Sequence, residues 1–338
     1  MKRYVKYAVI LAIAYCSFSC SKELKKESEH EIFFTSDLKV ETVETRATLY
    51  EDDQDFKNLS AQGGLFHVEA YKSGENFKHL TNGAEVRWIS YPQNPELDHW
   101  AFYSPSENKI LNYYWPTTYA LDFFAYMPYN LANTHISIGD YNGGPTFNCT
   151  LPLDGSGQDA TREFIYAYTT NQRRDPEGKG VELEFKHPFA AIYFKLGGAH
   201  SMTKIKSVGI TGAYYNNGTF TTSDIQWSTT GDQSTFKADI NQMVPEHIQP
   251  NTIFAGPYLV IPQSLDNVKI TVDFDWNGTN YPGEKSLSDG IEWVAGKKYI
   301  YTLVLGDSKE DIFTNVNIIE WDEFEWNGVP YENIIEVK

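Results

Sequence analysis

Lys269-Ile270-Thr271-Val272-Asp273-Phe274 places an apolar side chain at every second position. Successive side chains of an extended chain point to opposite faces, so this run offers Ile270, Val272 and Phe274 to a core and Lys269, Thr271 and Asp273 to water. The same period recurs in Phe66-His67-Val68-Glu69-Ala70-Tyr71, Val181-Glu182-Leu183-Glu184-Phe185, Lys204-Ile205-Lys206-Ser207-Val208-Gly209-Ile210 and Tyr299-Ile300-Tyr301-Thr302-Leu303-Val304-Leu305. Turn chemistry separates these runs: Asn82-Gly83, Asn142-Gly143-Gly144, Gly197-Gly198, Asn216-Asn217-Gly218, Asn277-Gly278 and Pro282-Gly283. No long run has helical periodicity with good caps, and no strand–helix alternation suggests a parallel sheet. With 23 Tyr, 20 Phe, 24 Gly and 15 Pro, the composition suits half-buried pleated surfaces joined by turns. These patterns predict an all-β sandwich architecture.

The 338 residues exceed the usual span of one core, so two domains are expected. The polar stretch Thr170-Asn171-Gln172-Arg173-Arg174-Asp175-Pro176-Glu177-Gly178-Lys179-Gly180 reads as the seam between a sandwich over 47–180 and another over 181–324, or equally as a long hairpin loop. The 28 Lys and Arg against 45 Asp and Glu leave a formal charge of −17, which disfavours nucleic acid and anionic lipid surfaces as partners.

The amino terminus reads as an export signal over residues 1–20. Lys2, Arg3 and Lys6 precede a short apolar run, Tyr7 to Tyr15, too short to span a bilayer. Ser17-Phe18-Ser19-Cys20 has the form of a loose bacterial lipobox, which makes Cys20 the lipid-bearing residue and a membrane anchor the expected tether. Cys16 is the weaker choice because bulky Tyr15 precedes it. With Cys20 lipidated, Cys149 stands alone, so no disulfide framework is expected and stability must come from burial.

Several motifs, each weak alone, occur in an order that resembles the fimbrillin-like family of type V pilus subunits from Bacteroidota. They are Thr45-Arg46-Ala47, Phe66 to Tyr71, Tyr114-Trp115-Pro116, Leu121-Asp122-Phe123-Phe124-Ala125-Tyr126-Met127-Pro128, Phe164-Ile165-Tyr166-Ala167, Phe185-Lys186-His187-Pro188-Phe189-Ala190-Ala191-Ile192-Tyr193-Phe194-Lys195-Leu196, Gly218-Thr219-Phe220 with Trp227, Leu259-Val260-Ile261-Pro262-Gln263, and Trp293-Val294-Ala295-Gly296-Lys297-Lys298-Tyr299. Ser17 in the lipobox and Phe189 depart from the family pattern. The resemblance implies two tandem transthyretin-like β-sandwich domains. It also implies lipoprotein export to the outer membrane and cleavage between Arg46 and Ala47 by an Arg-specific protease. Cleavage would remove the 21–46 propeptide with its first strand, and a strand from a sister subunit would then fill the vacated groove of a surface fimbrium.

The residues before Arg46 have the character such a strand needs. Leu38, Val40 and Thr42 alternate with Asp37, Lys39 and Glu41, and Ile32-Phe33-Phe34 adds apolar area upstream. Arg46 is the only arginine between Arg3 and Arg87, so one cut releases one fragment; without the resemblance it would read as a linker charge. At the other end, 325–338 is the candidate donor tail, with Ile334, Ile335 and Val337 as its apolar residues. A terminal hairpin folded back on its own domain is the equal alternative.

No constellation supports catalysis. The eight histidines show no paired metal-ligand spacing, and there is no HExxH, CxxC, GxSxG or phosphate-binding Gly loop, so no metal and no cofactor are expected. His187 reads as structural. Asp154-Gly155-Ser156-Gly157-Gln158-Asp159 lacks the EF-hand pattern and reads as a solvated loop, or at most a weak cation site. Four Asn-x-Ser/Thr triplets read as Asn-rich turns. Trp88, Tyr91, Trp100, Tyr103, Tyr113, Tyr114 and Trp115 would serve core packing or, in a monomeric surface lipoprotein, a platform for host or bacterial glycans.

Overall fold

The computed structural model describes residues 31–35, 39–40, 66–80, 83–95, 98–132, 134–158, 164–287, 292–305, 313–320 and 334–335. Among these the regular elements are strands. The first half carries β1 (Lys39–Val40), β2 (Phe66–Lys72), β3 (Ala84–Ile89), β4 (His99–Ser104), β5 (Lys109–Ile110), β6 (Leu121–Met127), β7 (Ile136–Ile138), β8 (Thr146–Thr150) and β9 (Ile165–Gln172). Next come β10 (Glu184–Phe185), β11 (Ala190–Ala199), β12 (Thr203–Gly212), β13 (Asn217–Thr221), β14 (Gln226–Thr229), β15 (Phe236–Val244), β16 (Ile253–Val260) and β17 (Gln263–Ser264). The chain closes with β18 (Val268–Trp276), β19 (Thr279–Ser286), β20 (Glu292–Trp293), β21 (Lys297–Leu305), β22 (Phe313–Glu320) and β23 (Ile334–Ile335). The fold is all-β, as the period-two patterns require.

Three sheets form the bulk: β5-β4-β3-β2-β6-β9, β16-β11-β21-β22-β23 and β15-β12-β18-β19. A smaller sheet, β14-β13-β8-β7, joins strands from before and after residue 180. Alternation sets which face is buried. In β18, Val268, Ile270, Val272 and Phe274 are buried while Lys269, Thr271 and Asp273 are only partly so. In β6 all seven residues are buried, because both of its faces are covered.

The covered faces belong to separate cores. Phe66, Val68, Val86, Phe102, Leu121 and Phe123 anchor the first. Ile192, Phe194, Ile205, Val272, Trp293 and Tyr301 belong to another, in the carboxy-terminal half. A third contains Phe124, Tyr126, Phe147 and Tyr166 from one half and Phe189, Tyr193, Phe220 and Leu259 from the other. Residues just past the polar stretch 170–180 pack with the first half. Val181, Leu183 and Phe185, expected to open the second sandwich, pack into the first core, because their alternating apolar residues complete the layer facing β2, β4 and β6.

Buried polar groups are tied down at the turns. The Asp122 carboxylate is buried and accepts hydrogen bonds from Ser73 Oγ (2.5 Å), Gly74 N (3.0 Å) and Asn171 N (2.7 Å). This pins the end of β9 and the turn after β2 to the start of β6, and gives a buried carboxylate the donors it needs. In the Trp293 to Tyr299 stretch, Trp293 Nε1 donates to Tyr301 OH (2.9 Å), and Tyr299 OH accepts from Val294 N (2.8 Å) while donating to the Glu292 carbonyl (2.9 Å). Gly296 turns this loop at φ +72°, a conformation open to glycine at little cost.

Candidate functional site: a strand seam at the amino terminus

The six-stranded sheet bends until its two ends are bridged by two chain segments. On one side Phe34 N donates to the Trp100 carbonyl of β4 (3.0 Å) and Ile32 N to the Tyr113 carbonyl (2.7 Å). On the other, Thr35 N donates to the Val181 carbonyl (3.0 Å) and Val181 N to the Phe33 carbonyl (2.8 Å). Further along, β1 pairs in parallel with β10, Lys39 opposite Glu184 and Val40 opposite Phe185. The circuit closes on β9, where Lys186 N and Tyr166 N each donate to the other's carbonyl (2.8 and 3.1 Å). Residues 31–35 are thus a short stave held between β4 and Val181.

The inward side chains of this stave are Ile32 and Phe34, 1% and 0% exposed. The Phe34 ring meets Phe66, Phe102 and Phe123 edge-on at centroid distances of 6.0, 5.4 and 5.8 Å. Edge-to-face rings gain from their quadrupoles in addition to the area they bury. Full burial of such a side chain contributes about 1.5–3 kcal/mol. Phe33 points the other way and meets His99 edge-on at 5.6 Å. Gly180 lies against the stave: a Cβ there would sit 2.8 Å from the Phe34 carbonyl carbon and 2.9 Å from the Phe33 ring.

Glu31, the first residue of the stave, bridges to Tyr114. Loss of hydration raises its carboxyl above the ordinary value, and the Coulombic influence of His99 partly opposes this. A carboxyl with a raised pKa in the docked state binds more protons there than when released. Its contribution is therefore best below roughly pH 4.3, the free-carboxylate value, and is lost as pH rises through the raised value. Glu31→Gln removes this dependence. The variant is expected to melt higher than the parent at pH 7 and to converge with it near pH 4, as followed by thermal unfolding across that range. Equal differences at both pH values would refute the assignment.

Of the residues marked by sequence, Cys20, Arg46, Ala47, Leu38, Thr42 and Val337 lie outside the described residues. Val40 is in β1. Ile334 and Ile335 form β23, whose backbone pairs antiparallel with β22 at Asn317 and Val316. Ile32 and Phe34, noted in the sequence only as extra apolar area, make the deep contacts of the seam. The signal that distinguishes them is an alternating pair opposite a second alternating run, Val181 to Phe185, with a glycine at their crossing.

The aromatic residues around β4 divide between core and surface. Trp100 and Tyr103 are buried, and Trp88, Tyr113 and Trp115 pack half-buried against the first core. Tyr91 and Tyr114, 38% and 47% exposed, are the two that face solvent. His187 lies in the connection between β10 and β11, where burial and nearby Lys298 hold its pKa down to about 3, so it is neutral at physiological pH. In the loop at Asp154, the carboxylate accepts from Ser156 N (2.9 Å). Among the described residues no group of three His, Cys, Asp or Glu could hold a metal ion, and no helix is long and apolar enough to cross a membrane. Cys149 is a buried free thiol.

The all-β chain thus carries an amino-terminal stave that fills a seam in its first core, hydrogen-bonded along both edges. The profile of the fimbrillin-like family matches residues 45–321, and the chain belongs to that family. Its structure is similar to that of a fimbrial protein from Bacteroides vulgatus, with a TM-score of 0.55 at 15% identity, covering 86% of this chain and 99% of that one. It is also similar to a protein proposed to act in cell adhesion from Bacteroides ovatus, with a TM-score of 0.50 at 17% identity, covering 86% and 96% of the two chains. Comparison with curated proteins finds no match.

Proposed function

We propose that the chain is a structural or accessory subunit of a surface fimbrium serving adhesion, without enzymatic activity, and assembled by strand replacement. The precursor is exported and lipidated at Cys20, which tethers it to the outer membrane. An Arg-specific protease cuts between Arg46 and Ala47. The released 21–46 segment carries away the stave and β1, and a strand of a sister subunit takes the vacated place. The carboxy-terminal tail with Ile334, Ile335 and Val337 is the candidate donor in this chain, and it must first leave β22. Partners are other fimbrial subunits and a surface glycan or protein; the net charge argues against nucleic acid.

The observation that carries this reading is the burial of Ile32 and Phe34 in a seam hydrogen-bonded along both edges. Vacating it exposes a hydrophobic trench and unpaired backbone groups, a surface that another extended strand can satisfy. Two such side chains and a new row of backbone bonds supply several kcal/mol before ordering costs, which favours slow dissociation. The glycan-platform alternative has less behind it, because most of the aromatic cluster is core or packs on core.

The test is to treat purified protein beginning at Ser21 with an Arg-specific protease. A cut after Arg46, loss of the 21–46 fragment and capture of an added peptide copying residues 31–42 in the vacated seam is the expected result. Resistance of Arg46 in folded protein, or cleavage that leaves a stable monomer still holding its amino-terminal fragment, refutes strand replacement.

A further inference from the structure

We infer that the seam selects its replacement strand by an aromatic side chain in the Phe34 position, and that the strand it takes comes from a different fimbrial subunit rather than from the tail of a second copy of this chain. The inference rests on the proposed strand replacement and specifies the partner.

The seam is shaped around its resident. Phe34 is fully buried among three phenyl rings that meet it at interplanar angles of 72°, 70° and 85°. Two residues earlier, Ile32 fills the neighbouring place. Gly180 leaves no room for displacement of the stave toward it, since even a methyl group would press on the Phe34 backbone. The site therefore reads an Ile-x-Phe pair on an extended strand. A shorter aliphatic residue in the Phe34 place leaves a void between ring edges that cannot close without moving β2, β4 and β6, and such voids are costly in close-packed interiors.

The tail of this chain lacks that pair. Its last residues include Ile335-Glu336-Val337, with a β-branched aliphatic residue where the seam wants a ring. Phe324 and Trp326 stand two apart, but Asn327-Gly328 and Pro330 follow at once and interrupt an extended run. In addition, Ile334 and Ile335 already have backbone partners on β22.

The inference is tested by competition on the full protein after Arg-specific cleavage. A fluorescent peptide copying residues 31–42 is exchanged into the seam, and unlabelled competitors are added. These are the same copy, the native tail 322–338, and that tail carrying Val337→Phe, which creates the Ile-x-Phe spacing. Exchange of the resident copy, with the V337F tail competing at least ~10-fold better than the native tail, supports the inference; a side-chain-sized mismatch in an apolar pocket discriminates by roughly 10–200-fold. Equal competition by the native and V337F tails overturns the aromatic selection while leaving strand replacement standing. No exchange of the resident copy overturns strand replacement, and the inference with it.

Discussion

Phe34→Ala is expected to weaken docking of the amino-terminal stave by about 3–5 kcal/mol, the range for deleting a fully buried phenyl group. The loss combines the transfer energy of the ring with the cavity it leaves, and here the cavity is walled by Phe66, Phe102 and Phe123, which stand on three different strands and cannot collapse together. Because the stave is a short segment held along one seam, the penalty should appear first as local opening, not as global unfolding. Val181 N–H reports that opening directly, since it donates to the Phe33 carbonyl at 2.8 Å. Its hydrogen exchange should accelerate roughly a hundredfold or more, by the conversion of ~1.4 kcal/mol per decade, while amides within β12 and β18, in the other half, stay protected. Unchanged exchange at Val181 would show that the ring contributes nothing to holding the stave.

Gly180→Val acts on the same contact from the opposite side. The three atoms nearest to a Cβ at this position all belong to Phe33 and Phe34, and one is backbone, so relief by a side-chain rotation is unavailable. Overpacking of this kind costs about 1–3 kcal/mol. The cost should fall on the uncleaved precursor, visible as a lower midpoint in urea unfolding and as faster loss of the 21–46 fragment after cleavage. Once the stave has gone, the clash has gone with it. Equal destabilisation of the protein before and after release of the fragment would mean that Gly180 is required by the loop itself and not by the docked strand.

Much of this architecture was legible from alternation alone. Ile270, Val272 and Phe274 point into a core as their spacing requires, and Val181, Leu183 and Phe185 are all buried. Local periodicity marks a face but not the core that the face joins. Val181 to Phe185 therefore looked like the opening of a second sandwich, whereas the chain returns it to the first, beside the stave. The stave illustrates the same limit. Ile32 and Phe34 are only two alternating residues in the sequence, yet both are deeply buried, because depth depends on the rings waiting at 66, 102 and 123, far away in sequence. Likewise the pairing of β8 with β13 across the polar stretch 170–180 was not visible. Long-range pairing leaves little trace in either partner.

That cross-pairing has a mechanical consequence. β8 and β13 run antiparallel over five matched pairs, from Thr150 opposite Asn217 to Thr146 opposite Thr221, and Phe147 stacks on Phe220 at 4.8 Å. Tension that enters one half of the molecule must shear this ladder and part those rings before the halves can swing.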